Sequence, residues 1–246
     1  MVEVYAIHLL PDEEFVKVSA QMLCYLPTQS QARFSRFSRG ADVQRSLLGE
    51  LLSRYLLASR LKINCRKIVF TIGPNGKPAF PEGGNLHFNI SHSGEWAVCA
   101  IANVPVGVDV ERLRKVNSGL AERFFSPDEV ATLKALPPEM QTEKFIQLWT
   151  LKESFLKAIG RGLTRNLNSF SVRWHDGLYS ITGDDSAGDY HLKLFALTFD
   201  YMLAVCAPST YFSESVEVIT VDQLLVALEQ STLSYPSIGM FQDIVE

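Results

Sequence analysis

The residues best suited to chemistry lie in Val104-Pro105-Val106-Gly107-Val108-Asp109-Val110-Glu111. Read as a strand, its valines share one face, which leaves Gly107, Asp109 and Glu111 together on the other. The two carboxylates then stand side by side, roughly 7 Å apart at the backbone for a rise of ~3.4 Å per residue. Hard oxygen ligands so placed suit Mg²⁺, which takes one or two carboxylates alongside waters and phosphates; an exposed acidic strand end is the plain alternative. A second group sits on a helix. At ~100° per residue, Lys152 falls within an apolar arc centred on Phe145, Trp149 and Leu156, with Glu153 at its edge and Lys157 just beyond. Glu153 and Lys157 are four residues apart and can form a structural ion pair. Turned toward the same cleft as Asp109 and Glu111, they could instead act on a metal-bound phosphate.

These residues need elements to hold them. Apolar periodicity predicts one helix over about 41–60, carrying Leu47, Leu48, Leu51 and Leu52, and another over about 142–159. Ala97-Val98-Cys99-Ala100 recurs as Ala204-Val205-Cys206-Ala207, each copy reading as a strand that follows a long helix. Two related α/β halves are expected, residues 1–103 and 104–246, the latter with a tail from about 209. A cleft between halves is a usual place for a ligand. Shorter signals predict a strand over 68–72, turn chemistry at Gly73-Pro74-Asn75-Gly76-Lys77-Pro78, and an alternating strand through Leu86–His92. Ser126-Pro127-Asp128-Glu129 reads as a capping box opening a helix. The tail should add a strand over 216–220 and a helix over 222–229.

The composition is that of a soluble globular protein, 47% hydrophobic and 20% charged, which excludes disorder, collagen and coiled coil. No window approaches the ~20 apolar residues of a membrane span, and Met1-Val2-Glu3-Val4 does not open a signal peptide, so a cytoplasmic protein is expected. Four scattered cysteines suggest neither a zinc ribbon nor a disulfide framework. Net charge is −4, but residues 1–103 carry +3 and residues 104–246 carry −7. Nine Lys or Arg lie between Arg33 and Lys67, against Asp42 and Glu50. That stretch invites a polyanion, either a phosphorylated small molecule or nucleic acid; a solvated helix face reads equally well.

Asn89-Ile90-Ser91-His92-Ser93, Val106-Gly107-Val108-Asp109-Val110-Glu111, Phe124-Phe125-Ser126 and Leu148-Trp149-Thr150-Leu151-Lys152-Glu153-Ser154-Phe155-Leu156-Lys157 occur in this order and spacing. The set resembles the 4'-phosphopantetheinyl transferases of the surfactin-synthetase-activating type, over nearly the whole chain. The resemblance implies an α/β (α+β) fold with a pseudo-two-fold pair of similar halves. It implies Mg²⁺-dependent transfer of phosphopantetheine from coenzyme A to a serine of an apo carrier protein, releasing adenosine 3',5'-bisphosphate. By the same resemblance Asp109, Glu111 and Glu153 are the magnesium ligands; Mn²⁺ should substitute, because both ions accept octahedral oxygen coordination. Glu153 is also the base for the carrier serine, Lys157 serves the leaving phosphate, and Lys152 stands beside it. Ser91 and His92 would contact the coenzyme A phosphates; without the resemblance, His92 reads as a core histidine at a strand end. Arg45, Ser46 and Lys77 would take the 3'-phosphate and adenine side. Which of Arg33, Arg36 and Arg39 contact coenzyme A stays open. Glu129 matches a family acid, but the capping box already accounts for it. The protein is expected to act as a monomer, without nucleic acid or membrane. The competing readings are a nucleic-acid-binding protein using the basic stretch 33–67, or an inactive carrier-binding member of the family.

Overall fold

The computed structural model describes residues 1–34, 40–116, 119–162, 166–183 and 188–235. Two antiparallel-rich sheets lie face to face. The first is ordered β11 (Glu217–Val218), β1 (Glu3–His8), β5 (Trp96–Ala102), β4 (His87–Ser93). The second is ordered β6 (Gly107–Arg112), β10 (Tyr201–Ala207), β9 (His191–Phe195), β8 (Leu178–Thr182), β7 (Ser171–His175). In each, a first strand (β1, β6) pairs antiparallel with a central strand (β5, β10) whose other neighbour is also antiparallel. A 21-residue helix intervenes in each half, α3 (Ala41–Leu61) and α6 (Pro138–Ala158). The expected pair of similar halves is thus present as topology.

Strand alternation explains the repeated tetrapeptide. Ala97 and Cys99 of β5 pack under α3, while Val98 and Ala100 face the other sheet. Ala204 and Cys206 of β10 pack under α6, while Val205 and Ala207 face back. Small residues let each helix approach its sheet, and the valines fill the layer between sheets together with Val106, Val108 and Val110.

The tail does not stay with the second half, contrary to the expected division of 104–246. β11 pairs in parallel with β1, Tyr5 opposite Glu217. Helix α7 (Val221–Ser234) opens with a Thr220–Gln223 capping box and packs Val221, Leu224, Leu225 and Leu228 into the α3 core. It runs past the expected 222–229 to Ser234, and Ser231 is the last residue it buries. The strand expected over 68–72 shortens to β2 (Thr71–Ile72), which turns through Gly76 at φ 81° into β3 (Pro78–Ala79). The capping box at Ser126 is formed and opens α5 (Pro127–Lys134). Two further helices precede α3, α1 (Asp12–Leu23) and α2 (Thr28–Phe34), and α4 (Leu120–Phe124) precedes α5. Among the described residues no helix is long and apolar enough to cross a membrane.

Gly107 fixes how closely α6 lies on β6. A Cβ there would sit 2.1 Å from the Ser154 carbonyl oxygen and 2.3 Å from the Ala158 nitrogen, both backbone atoms that cannot swing aside. Gly107→Ala should therefore destabilise the protein by about 3 kcal/mol, the upper end for overpacking. A urea-unfolding midpoint equal to wild type would show that α6 can lift without cost.

Candidate active site

The edges of the two sheets meet at β4 and β6, and side chains join them. Asn89 Oδ1 accepts from Val108 N at 2.9 Å, Ser91 Oγ from Val110 N at 3.4 Å, and Ser93 Oγ from Arg112 N at 3.1 Å. Alternate residues of one edge strand thus take the outward N–H groups of the other, donors that would each cost about 1–3 kcal/mol if buried unpaired. The same hydroxyls reach the acids between them. Ser91 donates to Asp109 Oδ1 at 2.9 Å and Ser93 to Glu111 Oε2 at 3.2 Å. Two serines two residues apart therefore set two carboxylates two residues apart.

Lys157, in the last turn of α6, places its Nζ 2.7 Å from Asp109 Oδ1 and 2.8 Å from Ser91 Oγ. It bridges the halves and pairs with Asp109 rather than with Glu153. Glu153 lies close enough to Asp109 and Glu111 to feel both charges. Burial first, then Asp109 and more weakly Glu111, push its carboxyl up to about 7 against the pull of Lys157. Burial and Asp109 raise Glu111 as well. Asp109 Oδ2 and Glu153 Oε1 are buried without a hydrogen-bond partner.

A cleft of about 690 Å³ opens here, lined from both halves by Ser46, Ser91, His92, Asp109, Glu111 and Lys157. It continues past Arg33 and Glu50 to an apolar end of Pro27, Val69, Phe70, Ile72 and Pro78. His92 is exposed on its wall, not in the core, and desolvation with the charges of Arg45 and Lys157 lowers its pKa.

Three residues expected at the site are engaged elsewhere. Lys152 is fully buried and points away from the cleft. Its ammonium binds Glu129 Oε2 at 2.8 Å and the carbonyls of Leu167 and Phe170, over the Phe170 ring. Glu129 accepts from the backbone N–H of Ser126 and Val172, so this pair ties α5, α6 and β7 together. Burying a charge requires such saturation, and it leaves Lys152 no proton or charge to offer the cleft. Lys77 donates to the carbonyls of Val106 at 2.9 Å, Lys157 at 2.6 Å and Ala158 at 3.3 Å. Burial lowers its pKa to about 8. Its ammonium therefore faces backbone, not the anionic end of a ligand. Arg45 binds Gly94 O and Asp42 at the rim, outside the lining of the cleft. Arg33 lines the cleft and pairs with Glu50, which Arg54, fully buried, also holds. Arg36 and Arg39 lie outside the described residues. Of the basic stretch, Arg33, Arg45, Arg54 and Arg60 are thus held in ion pairs with Glu50, Asp42 and Glu3.

Comparison with known proteins agrees across both halves. Residues 105–206 match the family model of the 4'-phosphopantetheinyl transferase superfamily, and residues 13–104 match that of the 4'-phosphopantetheinyl transferase N-terminal region. The chain is 35% identical over 227 residues, 91% of its own length and all of the relative's, to the 4'-phosphopantetheinyl transferase Sfp of Bacillus subtilis. It is 37% identical over 206 residues to a second 4'-phosphopantetheinyl transferase of Bacillus subtilis, covering 83% of this chain and 92% of that one. A 4'-phosphopantetheinyl transferase of Bacillus pumilus is 34% identical over 229 residues, 92% of this chain and 98% of the relative. The chain belongs to the 4'-phosphopantetheinyl transferase superfamily. Its full-length similarity to Sfp puts it in the surfactin-synthetase-activating type, and it is an enzyme.

Proposed function

We propose that the enzyme transfers the 4'-phosphopantetheine arm of coenzyme A to a serine of an apo carrier protein and releases adenosine 3',5'-bisphosphate. The observation that carries this reading is the cleft of about 690 Å³ between halves, lined by Asp109, Glu111 and Lys157, with the Glu153 carboxyl close enough to feel both acids. The carrier serine gives its proton to Glu153, acting as general base. The serine oxygen bonds to the phosphorus that bears the pantetheine arm, and the bond from that phosphorus to the bridging oxygen breaks. Lys157 stabilises or protonates the departing phosphate.

The acids fit a hard divalent cation, because Asp109 Oδ2 and Glu153 Oε1 are buried without a donor. Among the described residues no three Asp, Glu, His or Cys side chains already converge as a metal-binding group. Asp109, Glu111 and Glu153 would hold Mg²⁺, which when bound supplies positive charge against the pyrophosphate. Ser46 and His92 on the cleft wall, with Arg33, are the groups set to receive coenzyme A phosphates; Ser91 orients Asp109. Both walls come from one chain, so a monomer suffices, and a cytoplasmic enzyme suits coenzyme A as substrate.

Mass spectrometry of apo acyl, polyketide or nonribosomal-peptide carriers incubated with coenzyme A, Mg²⁺ and the enzyme should show the added mass of the arm. The gain should vanish in excess EDTA and return with Mn²⁺, whereas Zn²⁺ should support it poorly for want of His or Cys ligands. Carriers left at their apo mass by folded protein with Mg²⁺ and coenzyme A would overturn the assignment, and equal rates with Zn²⁺ would overturn the metal site.

A further inference from the structure

The catalytic lysine sits where a helix is least secure. Lys157 is the penultimate residue of α6, and the last carbonyls of any helix lack intrahelical donors and fray. Part of this end is closed locally. Gly160, at φ 68°, donates to Lys157 O at 3.3 Å, and Arg161 N donates to Leu156 O at 3.2 Å, a Schellman turn. The rest is closed from the other half of the molecule. The hairpin between β2 and β3 delivers Lys77 Nζ to the carbonyls of Lys157 and Ala158, and Asn75 Nδ2 to the carbonyl of Gly160 at 2.8 Å. Lys77 also takes Val106 O, just before Gly107, where α6 lies against β6.

We propose that the Asn75–Lys77 turn is a C-cap supplied in trans to α6, and that Lys77 is a positioning residue for Lys157 rather than a ligand of coenzyme A. The cap uses a cation at the negative end of the helix dipole, the favourable sign. It fixes the backbone from which the Lys157 side chain reaches Asp109 and Ser91. Because the donors come from the first half and the helix from the second, the lysine is held in register with β4 as well as with β6. The kinetic part rests on the transferase reading above; the structural part does not.

Two variants test it. Lys77→Met should lower kcat roughly ten- to hundredfold, the usual consequence of misplacing a reacting group by about 1 Å. KM should change less than about twofold for both coenzyme A and dephospho-coenzyme A, since binding would be untouched. Asn75→Ala should act in the same direction, more weakly, and remains informative if Lys77→Met folds poorly. In a Lys157→Met background, Lys77→Met should lower kcat no further. Independently of turnover, amide hydrogen exchange should quicken over residues 158–161 in both variants while the centre of α6 stays protected. A rise in KM for coenzyme A but not for dephospho-coenzyme A would make Lys77 a 3'-phosphate ligand and overturn the proposal. So would additive losses in the double variant, or unchanged exchange at the end of α6. If wild-type enzyme transfers no arm, the functional reading fails, and the exchange measurement alone still decides the cap.

Discussion

Glu153→Gln should abolish turnover and yet make the metal-free protein more stable above neutral pH. The loss follows from the base, since removing a positioned proton acceptor costs about 10²–10⁴-fold and any ligand role adds to it. The gain follows from linkage. Burial and the charges of Asp109 and Glu111 raise the folded carboxyl from 4.5 to about 7. Between those values the folded state holds a proton that the unfolded chain has released, so stability falls as pH rises through that window. Glutamine has no charge to bury. In EDTA, the wild-type melting temperature should drop from pH 5 to pH 8 and the variant's should drop less. Each kcal/mol relieved would appear as roughly 2–4 °C in a chain of this size. Turnover at the wild-type rate would remove Glu153 from the chemistry; parallel melting profiles would mean its charge is solvated in the folded state.

Lys157→Met carries the second large effect. Its ammonium lies 2.7 Å from Asp109 Oδ1 and is paired before substrate arrives, so in the proposed reaction it acts on charge that grows as the phosphate leaves. We expect kcat to fall about 10²–10³-fold, the scale for removing one donor to a developing oxyanion. KM for coenzyme A should move much less. Steady-state kinetics with a saturating apo carrier would separate the two; a change confined to KM would make the lysine a ground-state counter-ion only.

How much of this could be read from the residues depended on whether the information was periodic. Asp109 and Glu111 were legible because strand alternation fixes their shared face, and α3 and α6 because their apolar stripes are long. The partner of Lys152 is not legible, since a lysine in an apolar arc signals a special environment without saying whether the saturating group is substrate or, as the structure has it, Glu129. The surroundings of Lys77 are hidden for a related reason: its partners are carbonyls, which every residue has and no motif reveals. The role of Ser93 was missed although a signal was present. Asn89, Ser91 and Ser93 are small polar residues at every second position of a strand, opposite a second strand with acids at every second position. The return of the tail to β1 was hidden because the short pairing of β11 contributes only Glu217 and Val218.

That return has a consequence for how the chain is made. The second half closes its sheet and core within residues 107–207. The first half emerges earlier from the ribosome but cannot be finished then, because Ile219, Val221, Leu224, Leu225 and Leu228 complete its core. What is synthesised first is therefore completed last, and until residues 217–234 arrive the α3 layer stays open on one side. Domains generally fold as units in the order of their synthesis. Here the order inverts, so a growing chain must carry an exposed apolar helix face for most of its translation.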